Sequence, residues 1–156
     1  MRIAFTPLTP DRHRLTVRRD DGTVDSVELE TRSLLLHDLV HLAVESEAGL
    51  DAGFWGLVAA GAPLDGLRIE ADAMRAAEPP ADRAQLVLAE RLVGPMQAVW
   101  LGRLPDARYL ELAAGATDRV DATFVSRVRA RLRSLHGHWK ATRHGTALEI
   151  TWPLSG

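Results

Sequence analysis

Residues 15–29, LTVRRDDGTVDSVEL, predict the first unit of the fold. Apolar residues alternate with polar ones on both sides of an Asp20-Asp21-Gly22 turn, a pattern typical of half-buried strands. The alternating apolar residues are Leu15, Val17, Val27 and Leu29. They share one face of a hairpin only if position 15 lies opposite position 27, which leaves residues 20–22 as the loop. Glycine at the last loop position suits a type I turn followed by a bulge residue with positive φ, so register and turn chemistry agree.

The C-terminal end has a similar pattern and predicts a second hairpin. Its apolar residues are Trp139 and Ala141 on one arm and Leu148, Ile150 and Trp152 on the other. His144-Gly145 would form the two-residue turn between the arms. We therefore expect a single α+β domain over residues 1–156. An antiparallel sheet from the two hairpins would carry the largely helical middle of the chain on one face.

The composition narrows the classes of function. Hydrophobic residues make up 46% of the chain and charged residues 26%, which is typical of a globular protein without a membrane span. The net charge of −2 argues against general affinity for nucleic acid or anionic lipid, and no signal peptide is evident, so we expect a cytoplasmic protein. The absence of cysteine excludes disulfides and thiolate metal sites. Arginine supplies 18 of the 19 basic residues, a bias that we attribute to a GC-rich bacterial genome.

A helix is predicted over residues 31–48, with Thr31 or Ser33 as its N-cap and Gly49 just past its end. Within it, residues 37–47 read HDLVHLAVESE. At 100° per residue, with His37 at the origin, His41 lies at about 40°, Glu45 at about 80° and Asp38 at about 100°. The remaining faces of this helix are nearly all Leu, Val and Ala. The polar stripe could be a metal site, a solvent-exposed face or a buried histidine–carboxylate network that orders the core.

Two further helices are expected. One covers about 83–101, after the Pro79-Pro80-Ala81-Asp82 segment, and Pro95 should kink or split it. The other should begin at Asp118 or Asp121 and turn one apolar row towards the core. That row consists of Val125, Val128, Leu132 and Leu135. Arginines at alternate positions from 127 to 133 would be spread over several faces, which favours a solvated helix over a basic patch.

The choice of polar residues favours the metal site. His37 and His41 are one helical turn apart, so both imidazoles can reach a single ion, whereas arginine is missing from the stripe despite its abundance. The segment HDLVH resembles the HExxH helix of zincin metallohydrolases over about a dozen residues. This resemblance implies that His37 and His41 bind zinc and that Asp38, in place of the usual glutamate, acts as the general base. Manganese and iron remain possible because imidazole and carboxylate ligands do not select one metal.

A third protein ligand is expected because catalytic zinc sites usually have three. Glu45 is preferred as this ligand, or as a partner of a ligand, because it lies one turn beyond His41 on the same stripe. Glu47 has the spacing of the third metzincin ligand but would lie opposite the stripe on a continuous helix. His136 and His138 could supply further ligands from an extended segment between the last helix and the final hairpin. Surface positions at a turn are the alternative for both.

Phe54 and Trp55 follow the helix after a short glycine-flanked loop and could wall a pocket above the site. Ordinary core packing is the commoner role for such a pair. Taken together, these residues predict a small metal-dependent hydrolase that acts on a peptide or small-molecule substrate. The alternative is a non-catalytic binding or structural domain. The sequence leaves the substrate and the oligomeric state open.

Overall fold

A computed structural model describes residues 1–67 and 83–154 of the chain. The strands are β1 (Arg2–Thr9), β2 (Arg12–Arg18), β3 (Val24–Glu30) and β4 (Leu148–Thr151). The helices are α1 (Leu36–Ala48), α2 (Phe54–Ala59), α3 (Ala84–Trp100), α4 (Asp106–Ala113) and α5 (Phe124–Ala141), and a π-helical turn, Thr31–Leu35, precedes α1. The prediction for Pro79 to Asp82 lies outside the described residues.

The four strands form one antiparallel sheet in the order β3-β2-β1-β4. The N-terminal hairpin has the predicted register, since Leu15 pairs with Val27. The Arg19 N–H donates to the Thr23 carbonyl at 2.9 Å, which leaves residues 20–22 as the loop, and Gly22 has a φ of 87°. Helices pack on one face of the sheet, so the predicted α+β class is confirmed. The buried residues of this face include Ile3, Phe5, Leu15, Val17, Leu148 and Ile150.

The predicted C-terminal hairpin is wrong. Trp139 and Ala141 are the end of α5, and only β4 is a strand; it pairs with β1 at the edge of the sheet. A turn does occur at Gly145, whose φ is 79°, but it connects a helix to a strand. The alternation of 139 and 141 covered too few residues to outweigh the helical spacing that continues from Leu135 to Trp139.

The helix predictions differ from the structure mainly at the helix ends. Gly49 ends α1 with a φ of 69°, as predicted. The N-terminal cap is Glu30, whose carboxylate accepts the N–H groups of Arg32 and Ser33 at 2.7 and 2.9 Å, so neither predicted cap is right. The helix α3 contains Pro95 without being split.

The last helix, α5, starts at Phe124, later than predicted, and turns its predicted apolar row into the core. Its arginines mostly pair with acids: Arg127 and Arg131 with Glu47, and Arg129 with Asp106. The helix α1 packs against both α3 and α5. Among the helices of the described residues, none is both long and apolar enough to cross a lipid bilayer.

Candidate metal centre

The polar stripe of α1 lies inside the protein. His41 has 2% of its surface exposed, Asp38 1% and Glu45 none, and only His37 is partly exposed. The stripe is buried because α3 packs against α1 beside His41 and the start of α2 covers Glu45. A solvent-exposed face is therefore the wrong explanation for these residues. Buried polar groups need partners, so the remaining choices are a metal site and a hydrogen-bonded network.

His37 and His41 turn their rings towards each other and towards an acid on α3. Their Nε2 atoms lie 3.2 Å apart, and the His41 Nε2 lies 3.2 Å from Oε1 of Glu90. The three potential ligand atoms all lie within 4.8 Å of one another. In a tetrahedral site with metal–ligand bonds of ~2.0–2.1 Å, the ligand atoms lie about 3.3 Å apart. These three side chains therefore have the identity and nearly the spacing of a two-histidine, one-carboxylate metal site.

Glu90 is the residue that the sequence analysis missed. It lies in α3, about fifty residues from His41, and no local motif marks it. A signal did exist, because Glu90 and Gln97 are seven residues apart on one side of a mostly apolar helix. Gln97 hydrogen-bonds His37. The polar groups of α1 and α3 therefore meet between the two helices.

Glu45 lies on the other side of the His41 ring. Its Oε1 is 2.8 Å from the His41 Nδ1, and its Oε2 accepts the Trp55 N–H at 3.0 Å. The two nitrogens of one imidazole point in diverging directions, so a carboxylate at Nδ1 does not share an ion held at Nε2. The geometry therefore favours Glu45 as a partner of His41, which is one of the two roles predicted for it, over a direct metal ligand.

The two histidines have opposite electrostatic environments. Burial by itself would lower the pKa of His41, but its hydrogen bonds and ion pairs with Glu45 and Glu90 raise the pKa to about 9. Burial, followed by the nearby His41 charge, lowers the pKa of His37 against the opposing effect of Asp38 and Glu90. At neutral pH His37 is therefore a neutral ring that can bind a metal, whereas His41 holds a proton that an ion would displace.

Burial raises the pKa of the Glu45 carboxyl, against the lowering effect of the His41 hydrogen bond and charge and of the Trp55 and Phe54 backbone N–H groups. Asp38 lies close enough for its charge to raise the pKa of His37, but it is not one of the three grouped side chains. Its role as a general base stays a prediction.

Phe54 and Trp55 differ in their relation to the site. The Phe54 ring lies 5.5 Å from the His41 ring, centroid to centroid, so it forms part of the wall of the site. The Trp55 side chain is fully buried and packs edge-on against Phe5 in the core. Only its backbone N–H reaches the site, through Glu45.

The other suggested ligands are not part of the group. Glu47 accepts hydrogen bonds from Arg127 and Arg131 at 3.1 and 2.7 Å, which ties α1 to α5. His136 and His138 lie within α5, where the His136 ring contacts Trp100 and His138 is exposed. The predicted extended arrangement of these histidines is wrong, and positions two apart on a helix point about 160° away from each other. They cannot converge on one ion.

No protein-family model, curated protein or solved structure matches the chain.

Proposed function

We propose that the protein binds one divalent metal ion through His37, His41 and Glu90 and that it is a small metal-dependent hydrolase. The spacing of the Nε2, Nε2 and Oε1 atoms is the observation that supports metal binding. Zinc is the first choice of ion, because two histidines and a carboxylate with an open fourth position are a known catalytic zinc set. Manganese and iron are the alternatives.

Hydrolysis at this site would need a bound ion, a path for the substrate and a general base. A bound ion would polarise a carbonyl or phosphoryl oxygen and lower the pKa of water to ~7. His37 is the partly exposed histidine of the pair, which makes its side of the site the approach for a substrate. Asp38 is the proposed general base. A peptide or small-molecule substrate and a cytoplasmic location remain part of the proposal.

A non-catalytic network is the second candidate, and one observation favours it. The buried His41 ring faces a carboxylate at each nitrogen, at 2.8 Å for Glu45 and 3.2 Å for Glu90. A protonated ring would satisfy both acids without a metal. In that case the stripe would stabilise the packing of α1 on α3, and the protein would be a structural or binding domain.

Metal content separates the two candidates. Protein purified without a histidine tag should contain about one divalent ion per chain or take up one zinc ion, measured by elemental analysis and calorimetry. His41→Ala and Glu90→Gln should lose this binding. The matched controls are His138→Ala, an exposed histidine of α5, and Glu47→Gln, an acid on the opposite face of α1. A wild-type protein that takes up neither zinc nor manganese would refute the proposal and leave the network.

Activity is tested separately from binding. Esters, phosphoesters and short peptides should be screened with the metal-loaded wild type, Asp38→Asn and His41→Ala. General-base assistance is typically worth ~10²–10⁴-fold in rate, so Asp38→Asn should keep its metal and lose most of the activity. Full activity in Asp38→Asn with an inactive His41→Ala would assign the base to another group.

A further inference from the structure

The His41 ring and backbone groups at the start of α2 hold the Glu45 carboxylate in position. Its Oε1 faces the His41 Nδ1, and its Oε2 accepts the Trp55 N–H, with a further hydrogen bond from the Phe54 backbone. Gly53 lies directly against this carboxylate, because a Cβ there would be 2.6 Å from Oε2. Backbone N–H groups can only donate. The Trp55 N–H therefore holds Oε2 as an acceptor, and this fixes the direction in which Oε1 faces Nδ1 of His41.

We infer that Glu45 is a positioning residue that keeps a proton on Nδ1 of His41 and thereby leaves Nε2 as the metal-binding nitrogen. A neutral imidazole carries one proton, and the hydrogen bond made by one nitrogen sets the state of the other. The consequence for metal binding rests on the proposed function. The position of the proton itself does not, because it can be measured without metal.

Glu90 competes for the same proton from the opposite side of the ring. Its Oε1 is 3.2 Å from Nε2, compared with 2.8 Å between Glu45 and Nδ1. The Glu45 side chain is fully buried, whereas 9% of the Glu90 side chain is exposed. Shorter charge-assisted hydrogen bonds are the stronger ones, and the backbone N–H groups prevent Glu45 from turning away. The neutral His41 ring therefore keeps its proton on Nδ1, which donates to Glu45.

The substitution Glu45→Gln should reverse this arrangement. The Trp55 N–H requires the amide oxygen of the new side chain, which leaves the NH₂ group facing the His41 Nδ1. A donor at that position requires Nδ1 to be an acceptor, so the neutral ring must carry its proton on Nε2. That proton occupies the direction in which the ion would bind. An almost isosteric substitution is thus predicted to harm metal binding more than simple removal of the side chain by Glu45→Ala.

The proton position is measured by long-range ¹H–¹⁵N correlation spectra of metal-free protein, at a pH high enough that the His41 ring shifts no longer change with pH. Wild type should show the Nδ1–H form of His41, and Glu45→Gln the Nε2–H form. The variant Gly53→Ala should show a mixture, because its Cβ displaces the carboxylate without removing the charge. The control Glu47→Gln should match wild type. An Nε2–H ring in wild type, or an Nδ1–H ring in Glu45→Gln, would overturn the inference.

Zinc affinity is then compared by calorimetry against a competing chelator. Loss of a partner of a metal-binding histidine typically lowers affinity ~10–100-fold. We expect this loss for Glu45→Ala and Gly53→Ala, and a larger one for Glu45→Gln. Equal affinities for Glu45→Gln and wild type would contradict the positioning role. If wild type shows the Nδ1–H ring but binds no zinc, the metal proposal fails, while the inference that Glu45 keeps the proton on Nδ1 stands.

Discussion

His41→Ala is expected to destabilise the metal-free protein strongly. The substitution removes the group that lies between the carboxylates of Glu45 and Glu90. Glu45 is fully buried, so its carboxylate would lose its closest counter-charge at a position shielded from bulk water. Removing one partner of a buried ion pair typically costs ~3–5 kcal/mol, because the other charge is left uncompensated.

The pKa of His41 gives a similar magnitude. It rises from 6.5 to about 9, a difference of 9 − 6.5 = 2.5 pH units. At ~1.36 kcal/mol per unit, this corresponds to about 3 kcal/mol of stability for the folded state. The pKa is raised on folding, so this contribution is fully present below pH 6.5 and is lost as the pH rises through 9. The effect of His41→Ala should therefore be largest in mild acid.

Urea unfolding with a metal chelator measures the free energy of unfolding at pH 6 and at pH 9.5. His41→Ala should lose about 3–5 kcal/mol at pH 6 and clearly less at pH 9.5. The matched control is His37→Ala, because His37 is partly exposed and burial lowers its pKa. It should cost less than about 1.5 kcal/mol, as expected when one modest hydrogen bond is lost. A cost below about 1 kcal/mol for His41→Ala at pH 6, or a cost that does not change with pH, would refute the buried ion network.

Three other predictions follow from the same contacts. Zinc would have to displace a proton from His41, so zinc affinity should rise about tenfold per pH unit between pH 6 and 8. Calorimetry in two buffers of different ionisation enthalpy should detect the released proton, and zinc binding without proton release would contradict this prediction. Glu47→Gln should cost about 1 kcal/mol in thermal unfolding, because it weakens partly exposed pairs with Arg127 and Arg131, and should leave zinc affinity unchanged. Leu132→Ala removes a fully buried side chain of α5 and should cost ~2–5 kcal/mol in urea unfolding, whereas a cost below about 1 kcal/mol would show that the row is not core.

Much of the fold could be predicted from local patterns. The register of the first hairpin follows from the alternation around Gly22, and the core row of α5 follows from its helical spacing. The end of α1 at Gly49 follows from the tolerance of glycine for positive φ. The C-terminal hairpin failed because two alternating residues are compatible with a helix as well as with a strand. The strand β1 was missed, although its buried residues Ile3 and Phe5 also alternate.

The candidate site, like the fold, could be predicted from the sequence only in part. The sequence by itself determined that His37, His41 and Glu45 lie along one stripe of a helix, because the helical repeat fixes the direction of each side chain. The tertiary structure decided that the stripe is buried, that Glu90 faces Nε2 of His41, and that Glu45 faces Nδ1. These facts depend on how α3 and α2 pack against α1. Contacts between residues distant in the chain are set by the packing of whole helices, which no local spacing encodes.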